Sequence, residues 1–94
     1  MKGGRWVCVY DKKSYEIANN VLENLKKASV QAGIVVQDPE WIELTSFNDT
    51  DALSDELKRY IRHNGQPSIA LIVLSYEKFY RVVKNICYNL NIVS

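Results

Sequence analysis

Leu71–Lys84, LIVLSYEKFYRVVK, joins an apolar branched run to a segment with helical spacing, and its reading decides the fold. The run begins at Ile69, and Ile69–Leu74, IALIVL, is apolar at successive positions, as suits a central strand covered by helices on both faces. Ser75 is placed to cap the helix that follows, along which Phe79, Val82, Val83, Ile86, Cys87 and Leu90 make one buried stripe. Tyr76, Tyr80, Lys84 and Tyr88 fall on another face at four-residue intervals. A ring and an ammonium so spaced can hold a nucleotide together. Tyr80 offers a flat surface for a base, and Lys84, one turn on, reaches the attached phosphate as a compact charge.

Upstream, Trp6–Tyr10, WVCVY, reads as a buried strand ended by the polar turn Asp11, Lys12, Lys13. Ser14 as N-cap and Glu16 in the first turn open a helix whose Ala18, Val21, Leu22, Leu25 and Ala28 recur at helical spacing up to Gly33. Ile34–Val36 and Trp41–Leu44 read as one interrupted strand or two short ones, bent at Asp38 and Pro39. Leu53, Leu57, Tyr60 and Ile61 build a second amphipathic helix ended by Asn64 and Gly65, and Pro67 prevents its continuation. Strands alternating with helices imply crossover connections and a Rossmann-like α/β fold of three layers, its small, mostly parallel sheet flanked by helices. Ligands of such folds bind beyond the carboxyl ends of the strands, where Ser75–Lys84 is expected. Neither G-x-G-x-x-G nor G-x-x-x-x-G-K-[ST] is present, which disfavours a conventional dinucleotide or NTPase site.

The 94 residues form one small domain, residues 5–94, after a short lead over residues 1–4. Twelve Lys and Arg against 11 Asp and Glu give a net charge of +1, so the chain lacks the basic character of proteins that coat nucleic acid, and any such site is local. Cys8 and Cys87 read as reduced core thiols of an intracellular protein. No run approaches the roughly 20 apolar residues that span a bilayer, and the expected partners include no membrane.

RWVCVYDKKSYEIANNVLENL, Arg5–Leu25, resembles the opening of the MID domain of PIWI-clade Argonaute proteins, with an apolar strand ending in Tyr, a basic turn and a Tyr-Glu-x-Ala-Asn helix. The resemblance continues through Ala32-Gly33, IALIVL, YRVVK and the terminal NIVS, covering nearly the whole of residues 5–94. YRVVK matches the family's Tyr-x-x-x-Lys element. The resemblance therefore implies that Tyr80 stacks on the first base of a guide RNA and that Lys84 contacts its 5′-phosphate. It makes Ser75, Tyr76, Glu77, Lys78 and Phe79 the counterpart of the base-specificity loop, with uridine the base preferred in the family. It implies a single-stranded, 5′-phosphorylated, piRNA-like guide as partner, and PIWI and PAZ domains as neighbours in the parent chain. The expected compartment is cytoplasm, nucleus or both. In the family a Gln and a second Lys of the pocket follow the stretch matched by NIVS, so the expectation is a domain truncated at its carboxyl end. No cofactor is expected from these residues, while the resemblance leaves room for a divalent cation such as Mg2+ at the 5′-phosphate in the intact protein. Asn85 stands where many members carry a second basic residue.

Taken singly, each residue has an ordinary reading. Tyr80 alone is a surface aromatic, and Lys84 alone a solvated helix lysine. His63 is at a helix end with no metal-ligand partner at suitable spacing, and Asp49, Asp51, Asp55 and Glu56 fit helix-start preferences. Trp6 and Trp41 fill the core or a domain contact, and Lys12 and Lys13 sit in a solvated turn. With no activated nucleophile or carboxylate cluster in view, the chain is expected not to be an enzyme, and target cleavage is assigned to a separate PIWI domain. A reading of another class is a small α/β protein-interaction module that uses Tyr76, Tyr80 and Tyr88 as anchors.

Overall fold

The computed structural model describes residues 5–94, and the expected lead over residues 1–4 lies outside the described residues. Strands β1 (Trp6–Tyr10), β2 (Glu40–Glu43) and β3 (Ile69–Val73) form one parallel sheet in the order β2-β1-β3. Helices α1 (Tyr15–Gln31), α2 (Thr50–Asn64) and α3 (Glu77–Asn89) alternate with them, giving the Rossmann-like α/β layout.

The strand in the middle is β1. Val7, Cys8 and Val9 are all buried because alternate side chains face different helix layers: Val7 and Val9 point at α2 and α3, Cys8 at α1. The expectation of a central IALIVL strand is corrected. Only Ala70 of β3 is fully buried, and Ile69, Leu71, Ile72 and Val73 are half-buried. Its apolarity answers to helices on its two faces; among the described residues its outer edge is met by Val93, through a parallel bridge at Ile69. Val93 accepts from the Ala70 N–H at 2.8 Å and donates to the Ser68 carbonyl at 3.1 Å.

The main core lies between the sheet and the α2–α3 layer, where Val7, Val9, Ile42, Leu44 and Ala70 meet Leu53, Leu57, Val83, Ile86 and Cys87. Of the stripe expected along α3, Val83, Ile86 and Cys87 are buried and Phe79, Val82 and Leu90 partly so. The opposite face is thinner. Ala18 and Leu22 of α1 are buried, but Val21 and Leu25 are about 40% exposed and Ala28 is exposed too, because a single helix meets a sheet only three strands wide. Ile34–Val36 forms no strand. That segment leaves the helix at Gly33, whose φ of +73° suits a residue without Cβ, and apart from the half-buried Val36 it stays exposed until Pro39. Trp6 donates to the Gln37 carbonyl at 2.8 Å, while Trp41 is half-buried against the rings of Tyr10 and Tyr15, so the tryptophans border the α1 face rather than fill the core.

Asp49 caps α2, accepting from the Asp51 N–H at 3.0 Å, and Gly65 closes it at a φ of +89°. Glu56 accepts instead from the backbone N–H groups of Thr45 and Ser46, each at 3.0 Å, and fastens the loop after β2. Replacing Asp49 with Ala leaves the Asp51 N–H without its protein acceptor and is expected to cost about 1 kcal/mol, a fall in Tm of roughly 5 °C by thermal unfolding.

Candidate nucleic-acid interface

At the carboxyl end of β1 stands Asp11, 5% exposed. Its Oδ1 accepts from the Ser14 N–H at 2.8 Å and the Ser75 hydroxyl at 3.0 Å, and its Oδ2 from the Ser75 N–H at 2.8 Å. Burial by itself would raise the carboxyl's pKa; the hydrogen bonds from Ser75 and Ser14 outweigh it and hold the group below its ordinary value of 3.8. One carboxylate thus joins the start of α1 to the turn between β3 and α3. The Ser75 hydroxyl is also 2.8 Å from that of Ser14. Neither serine acts as the expected helix cap: Ser14 holds the N-cap position of α1 without a side-chain bond to its N–H groups, and Tyr76, not Ser75, holds that of α3.

The remaining loop residues each have a partner. The Lys13 ammonium donates to the Tyr76 hydroxyl at 2.9 Å and stands 5.4 Å from its ring. Arg81 donates to Glu77 at 2.8 Å, Lys78 lies 5.9 Å from the Phe79 ring, and Phe79 packs edge-on against Phe47. Ser75, Tyr76, Glu77, Lys78 and Phe79 therefore form a braced turn. Tyr76, together with Asp11, Lys12, Lys13, Thr45 and Phe47, lines an open cleft of about 360 Å³ beyond the ends of β1 and β2.

Tyr80 and Lys84 are farther along α3. Tyr80 is half-buried and Lys84 exposed, with the ammonium 6.0 Å from the centre of the Tyr80 ring, at the outer reach of a cation–π contact. The ammonium also donates to the Ser94 carbonyl at 3.2 Å and hydroxyl at 3.4 Å. These are long contacts, and among the described residues Lys84 forms no ion pair. The sequence places this pair at the carboxyl ends of the strands; the structure puts Tyr76 there and Lys84 in a second open groove, of about 900 Å³, along α3 and the segment up to Ser94. Two turns of helix separate Tyr76 from Lys84, which accounts for the difference. Arg81, Asn85, Tyr88, Asn89 and Asn91 share the groove with Lys84. Of these, Tyr88 stood out in the sequence by its four-residue spacing and Asn85 by its place in the resemblance; Asn89 carries no such signal.

Arg5 and Lys13 do not join this groove. Arg5 pairs with Glu40 and donates to the Gly65 carbonyl at 2.7 Å, and Lys13 is held by Tyr76. Tyr76 and Tyr88 line separate grooves, so the three tyrosines do not make one patch. His63 is exposed in the last turn of α2.

A divalent cation fits these residues poorly. The Lys84 groove presents amide, hydroxyl and carbonyl oxygens but no carboxylate, and among the described residues no three His, Cys, Asp or Glu side chains come together. Burial pushes the Cys8 thiol up to about 11 and raises that of Cys87, so both are protonated at neutral pH and serve as small apolar core residues. Among the described residues no helix is long and apolar enough to cross a membrane. Neither a scan against protein-family models nor a search of curated proteins finds a match for this chain.

Proposed function

We propose that this chain binds the 5′-monophosphorylated end of a single-stranded, piRNA-like guide RNA, as the MID-like module of a PIWI-type Argonaute. The observation that carries the reading is the Tyr80–Lys84 pair. It sets an ammonium that forms no ion pair among the described residues 6.0 Å from a half-buried ring, beside an open groove. The first base stacks on Tyr80, the 5′-phosphate meets Lys84, and no covalent chemistry follows. In the parent protein the PIWI and PAZ domains are the neighbours, and any target cleavage belongs to the PIWI domain.

Stacking contributes about 1–3 kcal/mol and a charge-assisted hydrogen bond about 1.5–3 kcal/mol, so these two contacts give roughly millimolar affinity for a nucleotide. A short RNA carrying a 5′-phosphate should bind the chain more tightly than the same RNA with a 5′-hydroxyl, by about tenfold if one charge-assisted contact is lost. Fluorescence anisotropy of the two labelled RNAs makes the comparison. Equal affinity defeats the proposal and favours the protein-interaction module.

A further inference from the structure

β2 is an edge of the sheet, on the side away from β3 and the segment up to Ser94. The Leu44 N–H, just past its end, donates inward to the Tyr10 carbonyl at 2.9 Å. Along a strand the backbone groups of successive residues point alternately to one side and the other, so Ile42 also bonds inward to β1 and the N–H and C=O groups of Trp41 and Glu43 point outward. Among the described residues no strand pairs with them. A cleft of about 370 Å³ follows this edge, with Trp41 and Glu43 on one side and Glu56, Arg59, Tyr60 and His63 of α2 on the other. The helix runs against the direction of the strand. Glu56 holds Thr45 past the end of β2, and Arg5 joins Glu40 at its start to the Gly65 carbonyl beyond α2, which sets Arg59 roughly beside Ile42. Charge is divided along α2: Asp51, Asp55 and Glu56 come first, then Lys58, Arg59, Arg62 and His63. Asp55, Arg59 and Arg62 are exposed, each one turn from the next on one flank, and form no ion pair among the described residues.

We infer that a second copy of this chain docks on the β2 edge, its own β2 antiparallel to the first, so that one sheet runs through both copies. The sequence Pro39–Glu43, PEWIE, selects the register. A two-fold axis at Ile42 sets Trp41 against Glu43 of the second copy and Glu43 against its Trp41, and each of these pairs exchanges both backbone hydrogen bonds. No glutamate then directly faces another. An axis at Trp41 would put Glu43 opposite Pro39, which has no N–H, and an axis at Glu43 would set two carboxylates directly across from each other. The axis at Ile42 also lays the two α2 helices side by side and antiparallel, acidic half against basic half, with Asp55 across from Arg59 and Arg62 of the second copy. The edge and the helix beside it are thus complementary to themselves, which favours a second copy over a foreign strand. The Lys84 groove, beside the β3 edge, stays open in both copies. With so short a strand the contact is small, and the dimer is a weak one that forms at high concentration.

The test is sedimentation equilibrium of the 94-residue chain between about 10 µM and 1 mM, with amide hydrogen exchange by NMR at both ends of that range. The expected result is a mass that rises from one chain toward two, with exchange at the Trp41 and Glu43 amides slowed about tenfold and that of Ile72, which faces the opposite edge, unchanged. Glu43→Pro removes an outward N–H and none of the bonds to β1, and should stay monomeric. Arg59→Glu should weaken the dimer about tenfold, since the contact occurs twice by symmetry, and adding Asp55→Arg to it should restore the affinity. Both positions are exposed, so these charge variants keep the fold and give a reading even if the proline variant does not fold. A chain that is still monomeric at about 1 mM overturns the inference, as does a dimer whose protection falls at Ile72 instead of Trp41 and Glu43, or one that Arg59→Glu leaves intact.

Discussion

Asp11→Ala is expected to lower the stability of the domain by about 3 kcal/mol, a fall in Tm of roughly 15 °C, because hydrogen bonds to a buried charge contribute about 1.5–3 kcal/mol each. The carboxylate gathers three donors within 3.0 Å, from two segments 61 positions apart in the chain, Ser14 and Ser75. Losing it leaves the buried Ser14 N–H with the Asp11 backbone carbonyl at 3.0 Å as its one acceptor and unties the turn after β3 from the start of α1, while the Ser75 groups, which are exposed, recover water. Asp11→Asn keeps the shape and one acceptor oxygen but not the charge, and is expected to cost about half as much. The pH dependence has a definite sign. A carboxyl held below its ordinary 3.8 in the folded state binds fewer protons there than when unfolded. Its contribution is present above pH 3.8 and is lost as pH falls through the folded value. Acid unfolding followed by circular dichroism should show the parent chain losing more stability in that window than Asp11→Asn.

The second large effect concerns binding. Tyr80→Ala removes the stacking surface, and Lys84→Glu puts a negative charge where the phosphate is expected, so each should weaken binding of 5′-phosphorylated RNA by tenfold or more. Together they should carry a millimolar interaction beyond detection. Neither change should unfold the chain, because Lys84 is exposed and Tyr80 is outside the main core. A protein-interaction surface would respond differently, losing affinity with Tyr80→Ala and keeping most of it with Lys84→Glu. Fluorescence anisotropy with both variants separates the two patterns.

Most of the fold was legible because local signals agreed with one another. WVCVY is buried as a strand, Gly33 and Gly65 end their helices, and the spacing of Leu53 and Leu57 with Val83, Ile86 and Cys87 identifies the faces that meet over the sheet. What failed depended on neighbours that periodicity does not reveal. IALIVL reads as central because both its faces are apolar, yet strand order is decided by the crossovers, and these put β1 in the middle. Ser75 reads as a cap because serine before a helix usually is one, but Asp11 claims its N–H and hydroxyl. Val21 and Leu25 read as core and are on an uncovered flank of α1. At the candidate site, the Tyr80–Lys84 spacing was visible directly. The groove beside it was not, since Asn85, Asn89 and Asn91 become neighbours only once α3 ends and the segment up to Ser94 runs beside β3.

The most direct measurement is an NMR titration of the chain with uridine, adenosine, cytidine and guanosine 5′-monophosphates at millimolar concentration, with uridine itself as the control. Chemical-shift changes centred on Tyr80 and Lys84, strongest for uridine 5′-monophosphate and absent with uridine, are the predicted result. Shifts that are absent from this pair at millimolar nucleotide, or that are the same with and without the phosphate, would contradict the account.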